Sequence, residues 1–454
     1  MMELNYRKTD EMKNSGVEWL EIIPKEWQIK KLKYLVNVNP LKSEIKNKKK
    51  MCSFVPMEKI KNGLIQLDEV KHVYEVYNQY TYFKEEDIIM AKVTPCYENG
   101  NIGIAKNLVN GIGFGTTEIV VFRATTINNI FLFYRMQESH FINYGKSHMT
   151  GVAGLKRVPN SYFDNFKIAT PNIEEQDNIA NFLDIKTAEF DSIITKKEQL
   201  IEKLEEAKKS LISEVVTGKV KIVNGEMVKR QPEELKDSGV EWLGMVPRSW
   251  VFITFRRIST LKQGLQIDKA KRHIEKTENR FVYITIKYLH SDKQEDEIEF
   301  IQNPDKGVLC VKDDILLART GATGLVVTDV EGVYHNNFFK VIYNKMLIEK
   351  YFMVYYLKEP RLIETLQLKA GTTTIPDLNH SEFLDTEFLL PCLQEQTHII
   401  NFLDKKISRI DQLITKLNTQ IELITSAKQS LISEAVTGKI DLRDWKIMEG
   451  EVLP

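Results

Sequence analysis

The sequence predicts an α+β fold: two α/β globular regions separated by two long helices that pair as an antiparallel coiled coil, in a pseudo-two-fold arrangement. Three observations carry this expectation. Short segments recur about 220 residues apart, two Pro- and Gly-free runs keep a seven-residue apolar period, and the stretches between them differ and alternate strand-like with helix-like patterns.

The repeats come first. Lys13-Asn14-Ser15-Gly16-Val17-Glu18-Trp19-Leu20 matches Lys236-Asp237-Ser238-Gly239-Val240-Glu241-Trp242-Leu243, and Ser210 to Lys219 matches Ser430 to Lys439. About half of residues 171–222 are identical to 391–442, while the halves diverge between these segments. One scaffold built twice, presenting two different heads, is the simplest organisation that fits.

The helical runs start after Pro171 and Pro391, each followed by a Glu-Gln pair, and end at Gly218 and Gly438. A Gly just past a periodic run is a normal helix stop. The first stripe is Leu183, Phe190, Lys197, Leu204 and Leu211, with Ile194 and Ile201 beside it. The second is Leu403, Ile410, Leu417, Ile424 and Leu431, widened by Ile414 and Ile421. Apolar positions at heptad spacing make a coiled-coil seam. Lys197 interrupts the first seam at a position suited to fixing register. Helices of about 43 residues reach on the order of 65 Å.

The heads read as mixed α/β. Strand signals lie at 88–93, 119–122, 315–318, 326–327 and 338–342, and helix signals at 129–137 and 348–357. The expected divisions are a first head with its repeated N-terminal segment (1–170), a helix (171–219), a linker with the second repeated segment (220–247), a second head (248–390), a second helix (391–440) and a tail (441–454).

Composition narrows the function classes. No apolar run is long enough to span a membrane, and Met1 to Asp10 lacks an apolar leader, so a cytoplasmic protein is expected. Cys52, Cys96, Cys310 and Cys392 form no CxxC pair, and the eight histidines are scattered, so no metal site is expected. Net charge is zero, yet residues 25–160 carry 20 Lys+Arg against 12 Asp+Glu. Residues 248–385 are nearly balanced at 20 against 19, 172–217 has 6 against 11, and 392–437 has 5 against 5. The first head alone has the electrostatics of a polyanion binder.

No catalytic constellation assembles. Gly145-Lys146-Ser147 lacks the earlier Gly of a phosphate loop, because position 140 is His. No GxGxxG opens a helix after a strand. The acidic run Asp292 to Glu299 reads as a solvated loop. The basic run Lys42 to Lys50 reads either as a phosphate-tracking element or as a solvated loop.

These features together resemble the specificity subunit of type I restriction–modification enzymes. The carrying residues are Ser15 to Leu20 with Pro24 and Trp27, and Ser238 to Leu243 with Pro247 and Trp250. Joining them are Pro171, Glu175-Gln176 and Phe182-Leu183-Asp184, with the copies Pro391, Glu395-Gln396 and Phe402-Leu403-Asp404, and the two Leu-Ile-Ser-Glu…Val-Thr-Gly-Lys helix ends. The resemblance implies two target recognition domains, each reading half of a gapped, asymmetric site on double-stranded DNA. It implies a chain without catalytic activity that recruits two modification (methyltransferase) subunits and restriction/translocase subunits. S-adenosylmethionine, ATP and Mg are then expected on those partners, with no cofactor on this chain.

The resemblance also points to two DNA-facing loops per head. The loop after the Asp-Ile-Leu-type strand carries Lys92, Thr94, Asn99 and Asn101 in the first head, and Arg319, Thr320 and Thr323 in the second. A Gly-Thr-rich turn near each head's end carries Lys156 and Arg157, and Thr372 and Thr373. Lys, Arg, Asn and small polar side chains are the types that contact phosphates and base edges. The paired tryptophans, Trp19/Trp27 and Trp242/Trp250, are expected to pack the start of each head, with partner docking as the alternative. Two other function classes stay open: an enzyme with an unrecognised site, and a DNA-binding scaffold that works alone.

Overall fold

With neither Pro nor Gly to break them, Ile173–Val216 and Leu393–Val436 each form one unbroken helix of 44 residues. These are the dominant elements of the computed structural model, which describes residues 4–61, 63–152, 154–290, 298–371 and 376–447. Gly218 and Gly438 follow the helices with φ of +72° and +73°, the left-handed conformation that ends a helix without a Cβ penalty.

The chain divides into two units. One holds the residues up to Lys197 and from Thr419 onward, the other Glu198–Asn418. In the first unit, Ile179, Leu183, Ile432 and Val436 share one core. Lys428 Nζ lies 2.6 Å from Asp191, and Lys197 Nζ donates to Gln420 at 2.7 Å. One helix number rises as the other falls, so the segments run antiparallel. In the second unit, Ile212 and Val215 pack with Ile399 and Leu403, and Lys208 Nζ lies 2.6 Å from Asp411.

Half-buried positions recur at heptad spacing along both helices: 190, 194, 197, 201, 204, 208 and 211 on the first, 410, 414, 417, 421, 424, 428 and 431 on the second. Leu183 and Leu403, at the head-facing ends of the two stripes, are fully buried. All nine apolar seam positions read from the sequence lie on these stripes. Lys197, Lys208 and Lys428 occupy seam positions too, and each turns its ammonium to a polar partner on the other helix.

Each head is built mainly on antiparallel strand pairs and includes a parallel pair. In the first unit one sheet orders Ile102–Ile104, Ile88–Ala91, Ile119–Ala124 and Val36–Val38. A second orders Glu69–His72, Met51–Val55, Ile112–Gly115 and Thr81–Lys84, with Met51–Val55 and Ile112–Gly115 parallel. In the second unit Ser259–Gln263, Phe338–Tyr343, Ile315–Ala318 and Val326–Val327 form the counterpart of the first sheet. The central strands are buried on both faces, which is why they read as continuous apolar runs. Asn129–Gln137 and Lys350–Leu357 are helical, as their periodicity predicts.

The repeated segments meet each other inside each unit. Trp27 is buried and donates its indole N–H to Glu175 at 3.3 Å; Trp250 is buried and donates to Glu395 at 2.8 Å. Arg7 and Arg230 pair with the same two carboxylates. A Cβ on Gly438 would strike Pro24 and Trp27, and one on Gly218 would strike Pro247 and Trp250. Trp19 stacks on Phe166 and Trp242 meets Tyr356 edge-on. Trp27 and Trp250 are therefore core residues, joining a helix start to a helix end.

Residues just past Gly438 are more than a tail. Tyr6 bridges Ile440 as an antiparallel pair, Trp445 meets Phe182 edge-on at 5.6 Å, and Arg443 pairs with Asp441 and Glu11. In the second unit Val220 pairs with Lys229 in the corresponding hairpin. No helix among the described residues is long and apolar enough to cross a membrane.

Candidate nucleic-acid interface

In the first unit the structure brings the two loops marked by the sequence into one clasp, and in the second it sets the strand exit against Asp377 and Leu378, just beyond the other marked turn. The strand Ile88–Ala91 ends at Lys92, and the chain leaves it through Val93 and Thr94. The hairpin Thr150–Val152 with Leu155–Arg157 folds back onto this exit. Val93 bridges Arg157, and the Val158 N–H donates to the Lys92 carbonyl at 2.8 Å. Thr94 Oγ1 donates to the Gly154 carbonyl at 2.9 Å and accepts the Lys156 N–H at 3.0 Å.

The second unit repeats this pattern with other residues. Ile315–Ala318 exits through Arg319 and Thr320, Thr320 bridges Asp377, and the Leu378 N–H donates to the Arg319 carbonyl at 3.0 Å. Thr323 Oγ1 donates to the Arg319 carbonyl at 3.0 Å, closing its own loop. Thr372 and Thr373 lie outside the described residues.

The charged side chains differ in how far they are committed. Arg157 makes a two-pronged pair with Glu118 through Nε and Nη2 at 2.7 and 2.8 Å, and its side chain stays 46% exposed. That contact holds the Glu118 carboxyl below its usual range and raises the Arg157 guanidinium. Arg319 is only 16% exposed: it pairs with Asp377 at 2.6 Å and lies over the Phe339 ring. Its guanidinium is part of the loop's own architecture. Burial pushes the Lys92 ammonium below the usual lysine value, with Glu118 opposing and Arg157 adding to that shift. Lys156 and Asn99 are exposed, whereas Asn101 is buried and fixed by main-chain bonds to Ala91 and Cys96.

Asn99 and Asn101 line a surface groove of about 570 Å³ with Met57, Glu58, Lys61 and Cys96. A second groove, of about 630 Å³, lies in the other unit and includes Gln266, Lys271, His273, Gln302 and Asn303. No motif marks that groove, although Gln, Asn and Lys are side chains suited to base edges. The partners Glu118 and Asp377 were equally invisible, since one acid in a loop carries no pattern.

Known proteins resemble this chain in sequence and in fold. The family model described as type I restriction modification DNA specificity domain matches residues 24–206 and 247–423. The chain is 38% identical over 161 residues to the type I restriction enzyme EcoEI specificity subunit of Escherichia coli, a match covering 35% of this chain and 27% of that relative. The matched part is thus about a quarter of that relative's length. It is 27% identical over 439 residues to the MjaVIII specificity subunit of Methanocaldococcus jannaschii, covering 93% of this chain and 95% of the relative. In fold it resembles a chain from a study of complex assembly and conformational transition of the type I R-M system, with TM-score 0.64 and 16% identity over 92% of this chain and 99% of that one. With two matched regions that together span most of its length, the chain belongs to the type I restriction modification DNA specificity domain family.

Proposed function

We propose that this chain is the non-catalytic DNA-specificity subunit of a type I restriction–modification complex, reading a bipartite, gapped, asymmetric site. The observation that carries the proposal is the doubled clasp: two family-matched regions in one chain, equivalent in main-chain pattern and different in the side chains they offer. Lys92, Val93 and Arg157 stand where the second unit has Arg319, Thr320 and Asp377. Unlike side chains on a like frame suit two unlike half-sites. Joining both readers in one chain makes the second contact intramolecular, which raises affinity without new contacts.

The continuous helices supply the fixed spacing, and the segments repeated in both units supply equivalent docking surfaces for two modification subunits. Those subunits methylate adenine at N6 with S-adenosylmethionine, and restriction/translocase subunits, using ATP and Mg, act on unmodified DNA. The setting is cytoplasmic. The test incubates DNA and labelled S-adenosylmethionine with the purified chain, alone and with the cognate modification subunit. Methyl transfer is expected only in the mixture. Transfer by the chain alone would make it an enzyme, and failure to form a complex would make it an independent DNA-binding scaffold.

A further inference from the structure

The clasps leave one charged feature of the first unit unused. Residues 46–50 read Lys-Asn-Lys-Lys-Lys, and all five are exposed. The main chain beneath them is nevertheless held. Lys42 Nζ donates to the carbonyls of Tyr77 and Tyr80 at 2.6 and 3.3 Å, and both Glu44 carboxylate oxygens accept from Arg123 Nη1 at 2.8 and 2.9 Å. The Tyr74 N–H donates to the Lys48 carbonyl at 3.0 Å and the Val73 N–H to the Lys50 carbonyl at 2.9 Å. Lys48 Nζ sits 3.7 Å from the Tyr77 ring centre. The main chain of the run is thus held in place while its lysine side chains stay exposed.

The neighbouring carboxylates are already engaged. Glu44 is held by Arg123, Glu69 lies 3.5 Å from Lys71, and Glu75 accepts the His72 N–H. The salt bridges found among the described residues of this unit do not involve Lys46, Lys48, Lys49 or Lys50. Four concentrated positive charges outside these ion pairs suit a polyanion. In the segment 268–280 of the second unit Lys269, Lys271 and Arg272 stand together, but Arg272 is paired with Glu299 at 3.0 Å and Asp268, Glu275 and Glu278 flank the cluster.

Position favours duplex DNA. The strand Met51–Val55 starts directly after Lys50 and ends beside Met57, which lines the Asn99 groove. Five strand residues cover roughly 16 Å, about half of the 34–36 Å helical turn of a duplex. We infer that Lys46, Lys48, Lys49 and Lys50 bind the DNA backbone beside the first half-site, as a sequence-independent phosphate platform. This rests on the DNA-binding reading of the chain.

The test uses the full chain, a mixed-sequence DNA duplex and a salt titration. The variant replaces the four lysines with Gln and keeps Lys42. A control replaces four exposed lysines of the long helices, Lys196, Lys203, Lys209 and Lys405, with Gln. Removing one lysine–phosphate interaction lowers the slope of log Kobs against log salt by about 0.9, so the platform variant should fall by up to about 3.6 in slope while the control stays near wild type. Matching thermal unfolding of the three proteins shows that each is folded. Equal slopes for platform variant and control, with wild type binding, would overturn the platform and leave the DNA reading intact. Failure of wild type to bind duplex at any salt would overturn both.

Discussion

Thr94 Oγ1 accepts the Lys156 main-chain N–H at 3.0 Å while donating to the Gly154 carbonyl at 2.9 Å. One hydroxyl thus ties the strand exit to a hairpin far along the chain. Thr94→Val keeps the side chain's shape and leaves both main-chain groups without this partner, at a cost on the order of 1 kcal/mol. The expected result is faster amide exchange across residues 150–157 and DNA affinity about 5-fold weaker, with global unfolding little changed. Unaltered protection of the hairpin would mean that the hydroxyl does not hold it.

Lys428 with Asp191, and Lys208 with Asp411, are equivalent pairs, each between the two long helices and each inside its own unit. The carboxylates are more than half exposed, so each pair is worth only about 0.2–1 kcal/mol. Separate double-mutant cycles should return similar small coupling energies. The two cycles should also add, because the pairs share no partner. A clear non-additivity in urea unfolding would show that the pairs communicate.

Glu138 gives the first unit an acid-sensitive joint. It is buried and bonded to Arg135 at 2.9 Å, to the His140 N–H at 3.1 Å and to Ser433 at 3.3 Å. Burial would raise its carboxyl, but the Arg135 charge and the His140 contacts outweigh burial and hold it below the usual range. A depressed carboxyl contributes stability above the unfolded value of about 4.3, and that contribution is lost as pH falls through the folded value. Replacing Arg135 and Glu138 together with Gln removes both buried charges and avoids stranding one. The urea midpoint of this double variant should fall less steeply below about pH 4.5 than that of wild type. Parallel acid limbs would exclude Glu138 as the sensitive group.

Much of the scaffold was legible in the sequence because it obeys local periods. Leu183 to Leu211 and Leu403 to Leu431 mark the helices, and buried strands such as Ile88–Ala91 and Ile315–Ala318 show as unbroken apolar runs. Gly218 and Gly438 mark the helix ends through their φ requirement. The pairing of Tyr6 with Ile440 was not legible, because a single bridge between distant segments leaves no period. Of the candidate interface, the sequence marked loops but not the state of their side chains. Arg319 reads as a free cation until Asp377 and Phe339 are seen around it. Asn101 reads as a loop donor, yet its main-chain bonds draw it inside. The Lys42 to Lys50 run was ambiguous because Arg123 and Tyr77, which anchor it, come from elsewhere in the chain.

If the helices set the spacing, lengthening one changes the site. Four residues inserted near Glu198 add about 6 Å of helix, the length of roughly two base pairs at 3.4 Å each. The gap between half-sites should change while both half-sites stay the same, as read by methylation of a randomised-spacer library. An unaltered gap would remove the ruler role from these helices.

On the proposed function, this chain alone chooses the DNA sequence. Single-molecule methylome sequencing of the host, with and without this gene, tests it most directly. Deleting the gene is expected to remove one asymmetric, gapped N6-methyladenine motif and change nothing else. Persistence of every methylated motif, in a host whose modification subunit is active, would contradict it.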